Sequence, residues 1–337
     1  MHKPAQEAAA GKPLLTIAIP TYNRVRYLRE LLSALFDQLI SETRVELIIS
    51  DNASPDDTPA LVDEYLRRGL PIRYLRNVTN IGADANFLQC FEQAQGKYVW
   101  IFGDDDIIVP GGLSTILSSL DRKEYDLVYV SSFPLQDTLQ FDTVRSMRAV
   151  ELEDAVPFVK RIHVYFTFIS GNIVNKDRVL AQKPASFLAM VGSNLVQLTW
   201  TYTALNGFRR GLYIHTKLVG ARVNNTGGYK LSDVFGYRLK RVTDEFVSSE
   251  RLRRLIFNGT LQRFWPGMLL DFKKSGESFE SDTSPATILA GAFKGNPRYW
   301  FFVYPVLVLP HTLGICWFFV VRIVNRIDRA FGFVLSN

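Results

Sequence analysis

The sequence predicts an α/β fold in which helices cover both faces of a mainly parallel sheet. Short apolar runs alternate with helix-spaced amphipathic segments through the first 130 residues, and repeated β-α-β order is typical of parallel sheets. Polar clusters follow several of the apolar runs, at the strand ends where ligands bind in such sheets. Hydrophobic residues make up 47% of the chain, which excludes a mainly disordered protein.

The first two strands and the helix between them are predicted from two apolar runs and one helical stripe. Residues 15–20 and 45–50 are apolar enough to form buried strands. Between them, apolar side chains recur at positions 28, 31, 32, 35, 36 and 39, which lie on one face of a helix. Asn23 is the predicted N-cap of that helix.

The second helix is predicted from its start and stop signals. Ser54 is its predicted N-cap, because a proline and two acidic residues follow, and Gly69 is its predicted stop. The later elements of this half are a strand at 72–75, a helix at 84–94, a strand at 98–102, a helix at 112–120 and a strand at 127–130.

The middle of the chain gives weaker signals. Residues 165–174 are predicted to form a strand, a turn and a strand, and residues 194–205 a helix. Trp200, Tyr202 and the glycine-rich segment around Asn224 either frame a cleft for an acceptor or are core aromatics and an ordinary loop. Both interpretations stay open at the level of the sequence.

The last third of the chain predicts helices. Residues 243–274 carry a long helical pattern that Pro266 bends or breaks, and residues 276–285 read as a polar linker. The predicted domains are a flexible arm over 1–13, a catalytic domain over 14–240 with halves at 14–135 and 136–240, a helical extension and linker over 241–295, and an apolar, amphipathic tail over 296–337.

Asp104, Asp105 and Asp106 stand together directly after the predicted strand at 98–102. Three neighbouring carboxylates repel one another and are costly to remove from water. Mg²⁺ or Mn²⁺ would relieve that repulsion and keep coordination positions for water and phosphate. The triplet therefore predicts the metal- and diphosphate-binding end of a nucleotide-sugar site. The alternative is an acidic turn that caps the next helix.

The charge balance and the cysteines limit the classes of partner. The net charge of +6 indicates nucleic acid, a membrane surface or an anionic substrate. No nucleic-acid-binding motif is present, so we expect no nucleic-acid partner. The two cysteines, Cys90 and Cys316, lie far apart and imply no disulfide framework.

Residues 299–321 contain no Asp, Glu, Lys or Arg and are long enough for a membrane span. However, Pro305 and Pro310 interrupt the segment, and both of its flanks are basic, whereas a single span normally has asymmetric flanks. These features favour a tail that lies in or re-enters the membrane interface; a spanning helix and a buried hairpin or oligomer contact are the alternatives.

The end of the tail is predicted to be an amphipathic helix. Its predicted polar face holds Arg322, Asn325, Arg326 and Arg329. Its predicted apolar face holds Leu313, Trp317, Val320, Val321, Val324 and Ile327. Because the first residues also lack the apolar core of a signal peptide, we expect a peripheral or monotopic protein on the cytoplasmic face of the inner membrane.

Three segments together resemble family 2 glycosyltransferases of the Rossmann-like GT-A fold. They are TIAIPTYNR at 16–24, ELIISDNASPDDT at 46–58 and NIGADANFLQCFEQAQGKYVWIFGDDD at 80–106. The resemblance covers residues 14–135 well and looks most like the abequosyltransferase-type branch, whose members add sugars to bacterial surface-polysaccharide intermediates. It implies a metal-dependent, inverting enzyme that moves a sugar from a nucleotide-diphosphate sugar to a lipid-linked saccharide, as in O-antigen or capsule synthesis.

The resemblance also implies roles for individual residues. Asp51 is expected to bind the nucleoside base, Asp104 to face the ribose, and Asp105 and Asp106 to hold Mn²⁺ or Mg²⁺. The expected donor-binding set is Pro20, Thr21, Tyr22, Arg24, Asp51, Asn80, Gly82, Asp84, Asn86 and Asp104. The alternatives are a turn-forming role for Asp51 and helix capping by Asn80.

The general base is harder to assign. An inverting enzyme needs a group that deprotonates the acceptor hydroxyl, and in the family this is usually an acid downstream of the metal motif. This chain departs from that pattern, because residues 178–232 contain no Asp or Glu. The candidates are Asp177, Asp233 and His163.

Three other functions compete with sugar transfer. A nucleotidyltransferase or a dinucleotide-dependent oxidoreductase would need a glycine-rich loop after the first strand, where this chain has PTYNR. A non-catalytic scaffold in a polysaccharide-assembly complex is the alternative outside the enzymes, and the lack of an obvious base supports it.

Overall fold

A computed structural model describes residues 11–135, 141–222, 230–275 and 284–331. Most of the predicted arm, the segment around Asn224 and most of the predicted linker lie outside the described residues. Within the described ranges the chain forms one large sheet with helices packed on it, followed by a group of C-terminal helices.

Nine strands of the described ranges belong to one sheet. They are β1 (Leu15–Thr21), β2 (Val45–Asp51), β3 (Ile72–Arg76), β4 (Tyr98–Ile101), β5 (Ile107–Ile108), β6 (Leu127–Leu135), β7 (Ala149–Leu152), β8 (Asn172–Asn175) and β9 (Gly211–Arg222). The spatial order is β3-β2-β1-β4-β8-β6-β9-β5, and β7 pairs with β9.

The two halves of the sheet differ in strand direction. β1 runs parallel to β2 and β4, and β2 runs parallel to β3. In the other half, β8 is antiparallel to β4 and β6, while β9 is parallel to β6 and antiparallel to β5 and β7. The predicted α/β fold is therefore confirmed, and the second half adds mixed pairing that the sequence pattern did not indicate.

Thirteen α-helices occur in the described ranges. They are α1 (Val25–Leu39), α2 (Thr58–Arg67), α3 (Ala83–Gln93), α4 (Gly112–Arg122), α5 (Ala155–Ile162), α6 (Lys176–Ala181), α7 (Gln197–Asn206), α8 (Leu239–Phe246), α9 (Glu250–Gly259), α10 (Trp265–Ser275), α11 (Pro285–Phe293), α12 (Tyr304–Val308) and α13 (His311–Phe331). The predicted domain boundary at residue 240 falls within α8 and stays a prediction.

Helices cover both faces of the sheet because alternate side chains of each strand point to opposite faces. In β1, Ile17 and Ile19 join a core with the buried faces of α1, α2 and α4. Ala18, between them, joins the opposite core with α3, α7 and the C-terminal helices. The C-terminal helices therefore share a continuous core with one face of the sheet.

Two predicted helix caps are wrong, whereas one predicted stop is confirmed. α1 and α2 begin without a side-chain cap at Arg24 and Asp57. Asn23 has a φ of 55°, and its backbone N–H donates to Ser54 Oγ at 3.0 Å. Asn23 and Ser54 thus connect the loop after β1 to the loop after β2 instead of capping helices. Gly69 follows α2 with a φ of 93°, as a helix stop requires.

Two other segments differ from their predictions. The first part of residues 165–174 is not a strand but two 3-10 turns, His163–Thr167 and Ile169–Gly171, which lead into β8. The long helix predicted over 243–274 breaks after α8, and a π-helical turn at Thr260–Phe264 precedes Pro266. Pro266 directly follows this π-helical turn in a helical run that is continuous from α9 to α10, so the hydrogen-bond pattern changes next to the residue that lacks a backbone N–H.

The polar and apolar residues of α13 do not lie on the two separate faces that the sequence predicts. Asn325 and Asp328 point inward, to Gln262 and Arg263, so the inner face carries polar contacts. Ile323 and Ile327 are exposed instead, beside Arg322 and other charged positions. Across the ranges that the structure describes, no helix combines the length and hydropathy that a bilayer crossing needs.

Candidate active site

The ends of β1, β2 and β4 bring three predicted site residues to one edge of the sheet. Thr21 and Asp51 are direct partners in the parallel register of β1 and β2. Phe102 continues β4 by donating its backbone N–H to Ala18, so Asp104 emerges beside the end of β1. Parallel strands explain this meeting, because their carboxyl ends lie at the same edge.

Asp104 is fixed by two groups from the loop that follows β1. Its carboxylate accepts a hydrogen bond from Thr21 Oγ1 at 2.8 Å and pairs with Arg24 Nη1 at 3.0 Å. Burial, helped by neighbouring Asp105, raises the pKa of Asp104 to about 6, although Arg24 and Thr21 oppose the shift. Arg24 Nη1 also lies 3.5 Å from Asp105 Oδ2, so the Arg24 guanidinium forms ion pairs with both Asp104 and Asp105.

Asp106 is fixed from the opposite side. Its Oδ1 accepts a hydrogen bond from the backbone N–H of Arg222 at 3.1 Å, and its carboxylate is also hydrogen-bonded to the Ser170 hydroxyl. Burial and the charge of Asp105 raise the pKa of Asp106 to about 7. Two of the three acids are thus held in a setting that disfavours their negative charge.

The acids converge at Gly103. A Cβ placed on Gly103 would lie 3.1 Å from Asp106 Oδ2, 3.2 Å from Asp105 Oδ1 and 3.3 Å from Ser170 Oγ. Asp105 and Asp106 thus direct one carboxylate oxygen each toward a common space. Only a residue without a side chain leaves that space open.

This donor set fits Mg²⁺ or Mn²⁺. Among the described ranges, no group of three or more His, Cys, Asp or Glu side chains forms a full metal-ligand cage. Such ions, however, are commonly held by one or two carboxylates while water and substrate phosphates supply the other ligands. Asp105 and Asp106 are the residues that would hold the ion, and its charge would offset the cost of burying them.

Asp51 sits at the end of β2 with its carboxylate already engaged. Oδ1 accepts from the backbone N–H of Ser54 at 2.8 Å, which is the predicted turn contact. Oδ2 accepts from the Tyr74 hydroxyl at 2.6 Å and lies 3.3 Å from Arg76 Nε. Burial and the Asp51 carboxylate raise the pKa of the Tyr74 phenol. Asp51, Tyr74 and Arg76 thus form one polar group beside the site.

The Asn80 segment is tied to the residue that follows β2. Asn52 donates from Nδ2 to Asn80 Oδ1 at 2.8 Å and accepts from the backbone N–H of Ile81 at 2.9 Å. Asn80 is not a helix cap, since Gly82, with a φ of 88°, is the N-cap position of α3. Asn86 is buried and exchanges hydrogen bonds with Ser50. Pro20 pairs with Ser50 in the sheet.

Asp84 faces the start of α7. Its Oδ2 accepts from the backbone N–H of Asn194 at 2.7 Å, and the backbone N–H groups of Gly192, Ser193 and Val196 also hydrogen-bond to this carboxylate. Gly192 and Asn194 have φ values of 90° and 62°, an arrangement in which successive N–H groups can surround an anion. Burial nevertheless raises the pKa of Asp84.

The structure separates the three candidate bases. Asp177 lies beyond Asn175, which pairs with Tyr98 at the start of β4, whereas the triplet follows the end of that strand. Its half-exposed carboxylate pairs with Lys12. A base at the triplet cannot act from the opposite end of the strand, so Asp177 is a wrong candidate.

His163 is buried away from solvent. It is buried against Gly259, its Nε2 lies 3.4 Å from Arg263 Nη1, and burial with this cation lowers its pKa to about 3. Asp233, in contrast, is partly exposed and pairs with Arg238 at 2.6 Å. Arg238 in turn donates to Asn194 Oδ1 at 2.6 Å, beside the Asp84 contact. Of the three candidates, Asp233 is the one connected to this edge of the sheet.

Several aromatic residues do not form the proposed cleft. Trp200 is buried and stacks on Phe91 with ring centroids 4.6 Å apart, and Tyr202 is buried against Phe166. The alternative of core aromatics is therefore the one found. Tyr22, by contrast, is exposed in the same loop as Arg24.

Sequence reasoning missed two residues that contact the triplet. Ser170 lies in a 3-10 turn within the segment predicted as a strand, a turn and a strand, and no local signal distinguishes it. Arg222 ends β9, directly before the glycine-rich segment around Asn224. Its guanidinium pairs with Glu30 and lies 3.4 Å from the carbonyl oxygen of Asp105.

Comparison with known sequences identifies the family of this region. Residues 16–176 match the sequence model described as Glycosyl transferase family 2. Abequosyltransferase RfbV of Salmonella typhimurium is 35% identical over 179 residues, which cover 49% of this chain and 54% of that protein. A Campylobacter jejuni relative, GalNAc(5)-diNAcBac-PP-undecaprenol beta-1,3-glucosyltransferase, is 31% identical over 33% of this chain and 35% of its own length. The chain thus spans about half, or less, of these relatives.

Solved structures share the fold. Staphylococcus aureus TarS 1-349 in complex with UDP-GlcNAc matches with a TM-score of 0.57 and 17% identity over 77% of this chain and 81% of that chain. The mannosyltransferase PcManGT from Pyrobaculum calidifontis, in complex with GDP-Man and Mn²⁺, matches with a TM-score of 0.54 and 15% identity over 98% of this chain and 91% of that chain. At this identity the likeness concerns the fold, which is that of GT-A glycosyltransferases.

Proposed function

Residues 16–176 form a glycosyl transferase family 2 domain, and on this premise we propose that the protein transfers a sugar from a nucleoside-diphosphate sugar to a saccharide hydroxyl. The acceptor we propose is lipid-linked, and the reaction is a step in the synthesis of a bacterial surface polysaccharide. The names of RfbV and of the Campylobacter relative support this choice, because they specify a sugar transfer and, in the second case, an undecaprenol-linked acceptor.

The observation that carries the proposal is the meeting of Thr21, Arg24 and the triplet at the ends of β1 and β4. Asp105 and Asp106 are proposed to hold Mn²⁺ or Mg²⁺. When bound, the ion supplies positive charge that stabilises the leaving diphosphate. Arg24 adds a second positive group on the same side, and Thr21 keeps Asp104 oriented by its hydrogen bond.

The donor would extend from the triplet toward β2 and β3. Asp51 and its partners Tyr74 and Arg76 lie at the end of these strands, where a carboxylate can accept hydrogen bonds from a base or a ribose. The loop from Asn80 to Gly82 borders the same edge, and a side chain added at Gly82 would meet open space. We propose this edge as the nucleoside subsite.

Asp233 is the proposed general base for inversion. Its carboxylate is partly exposed, and the pair with Arg238 connects it to the loop that receives Asp84. A carboxylate that is accessible to solvent can accept the proton of an acceptor hydroxyl and release it to water.

The C-terminal helices are proposed to dock on the membrane surface. Ten of the nineteen large apolar side chains that are exposed in the described ranges lie between Trp300 and Ile327. An apolar surface of this kind indicates an interaction site, and nearby Arg322 and Arg326 suit anionic headgroups. We propose that this surface holds the enzyme at the cytoplasmic face, beside a lipid-borne acceptor.

A direct assay tests the proposal. Thermal-shift measurements with UDP-, GDP-, CDP- and dTDP-sugars, each with Mn²⁺, should identify the donor by a raised melting temperature. The selected donor, radiolabelled and mixed with full-length protein and bacterial lipid extract, should then yield labelled lipid. Stabilisation by no donor and no labelled lipid from any of them would contradict the proposed activity.

A further inference from the structure

Ser170 connects the backbone and the last acid of the triplet. Its hydroxyl oxygen accepts the backbone N–H of Gly103 at 2.9 Å, and the same hydroxyl hydrogen-bonds to the Asp106 carboxylate. The side chain is fully buried and lies 67 residues after Gly103 in the sequence. A single hydroxyl thus fixes the turn that leads into the triplet and one of its carboxylates.

The Ser170 hydroxyl lies near Oδ2 of Asp106, the carboxylate oxygen on the side of the proposed ion. Asp106 Oδ1 is occupied by the backbone N–H of Arg222, whereas Oδ2 lies 3.1 Å from the position of a Gly103 Cβ. Ser170 Oγ lies 3.3 Å from that same position. The hydroxyl is therefore next to the space into which Asp105 and Asp106 both direct an oxygen.

The turn that carries Ser170 is held in place by several contacts. The carbonyl oxygen of Ser170 accepts from Trp100 Nε1 at 2.9 Å, which fastens the turn to β4. Asn172 Nδ2 donates to the carbonyl oxygens of Phe166 and Phe168 at 2.9 and 2.7 Å. A Cβ on Gly171 would come within 3.0 Å of the Phe168 and Tyr129 rings, so the turn packs against these rings without space for a side chain at this position.

We propose that Ser170 is a positioning residue of the metal site, an inference that rests on the proposed metal-dependent transfer. By accepting the backbone N–H of Gly103 it fixes the turn from which Asp105 and Asp106 extend, and its hydroxyl borders the space toward which both acids direct an oxygen. Partners that orient the ligands of a metal in this way commonly change metal affinity when they are removed.

The chain offers two variants that disturb this arrangement from opposite sides, and one matched control. Ser170→Ala removes the hydroxyl. Gly103→Ala adds a methyl group where both acids and Ser170 converge, and its backbone conformation admits a side chain because its φ is not positive. Ser119→Ala is the control, because Ser119 is equally buried but its hydroxyl bonds to Thr115 within α4.

The test measures the affinity of the full chain for Mn²⁺ alone. The electron paramagnetic resonance signal of free Mn²⁺ reports how much metal is unbound, and the melting temperature of each variant reports whether it is folded. We expect Ser170→Ala and Gly103→Ala to weaken Mn²⁺ binding at least about tenfold, while Ser119→Ala leaves it unchanged. If Ser170→Ala does not fold, the Mn²⁺ affinity of Gly103→Ala is the result that tests the proposal. Wild-type affinity in the folded variants would overturn the role of Ser170 and leave the proposed function standing. Absence of Mn²⁺ binding by the wild-type protein would overturn the metal site itself.

Discussion

The backbone nitrogen of Arg222 lies 3.1 Å from Oδ1 of Asp106, although 116 residues separate the two in the sequence. The same residue directs its guanidinium to Glu30 and to the carbonyl oxygen of Asp105, and its guanidinium carbon lies 4.9 Å from the centroid of the Tyr27 ring. The end of β9 therefore fixes the last acid of the triplet and brings a second arginine close to it. Because so many groups converge on these acids, their charge is the first property to test.

Asp105→Asn and Asp106→Asn should each lower sugar transfer at least about 100-fold, because an amide cannot replace the charge that holds the cation against the diphosphate. Both variants should remain folded, since the amide keeps the shape of the side chain. The assay is transfer of radiolabelled sugar with saturating Mn²⁺. Asp121→Asn is the control, because Asp121 is an exposed acid that pairs with Arg44 away from the triplet. Full activity of both triplet variants would contradict the assignment of the metal ligands.

Tyr74→Phe should raise the KM for the donor about tenfold and change kcat little, because it removes the hydrogen bond to Asp51 at the proposed nucleoside subsite. Steady-state kinetics with varied donor concentration measure both constants. Tyr213→Phe is the control, since Tyr213 lies on β9 and stacks on Tyr129 away from Asp51. A loss confined to kcat would place Asp51 and Tyr74 outside donor binding.

Asp233→Asn should reduce kcat about 100-fold while donor binding persists, which is the loss expected when a general base is removed. The matched variant is Asp177→Asn, because the structure places Asp177 at the opposite end of β4. Single-turnover assays with prebound donor separate the chemical step from binding. If Asp233→Asn is as active as the wild-type enzyme, another group accepts the proton.

The double variant Phe319→Asp and Ile323→Asp should reduce sedimentation with vesicles that contain anionic lipid about fivefold, since it places two charges on the exposed apolar surface of α13. Leu180→Asp is the control, because Leu180 is an exposed apolar residue outside the C-terminal helices. Sugar transfer to a water-soluble acceptor should persist in the double variant. Equal sedimentation of the double variant and the wild-type protein would exclude this surface as the docking site.

Asp84 should make the free energy of unfolding depend on pH. Burial raises its pKa above the ordinary value of 3.8, so the folded protein binds this proton more tightly than the unfolded chain does. The stability that the protonated form provides is present below pH 3.8 and is lost as the pH rises through the folded pKa. In Asp84→Asn, the stability measured by urea titration should therefore fall less steeply above pH 3.8 than in the wild-type protein. Identical slopes would show that Asp84 does not titrate differently in the two states.

The sequence predicts the first half of the sheet well because its signals are local. Short apolar runs mark β1, β2 and β4, and parallel pairing then brings Thr21, Asp51 and Asp104 to one edge without further information. The cap assignments fail for a physical reason. Asn23 and Ser54 have the side chains of good N-caps, but the fold uses them to connect two loops.

The other half of the site could not be predicted, because it depends on contacts between distant segments. Ser170 and Arg222 meet the triplet through one hydroxyl and one backbone N–H, and neither kind of contact leaves a pattern in nearby residues. The tail shows a similar limit. Its composition indicates an interfacial segment, but contacts with buried Gln262 and partly buried Arg263 decide which side of α13 faces inward.

The direct pairing of Thr21 with Asp51 has a consequence for how the gene can vary. Side chains alternate along a strand, so deleting or inserting one codon within β1 or β2 would turn one of these residues to the wrong face and shift every later residue of that strand. Changes of length should therefore be rare between residues 15 and 21 and between residues 45 and 51, whereas single amino-acid replacements there keep the geometry of the site.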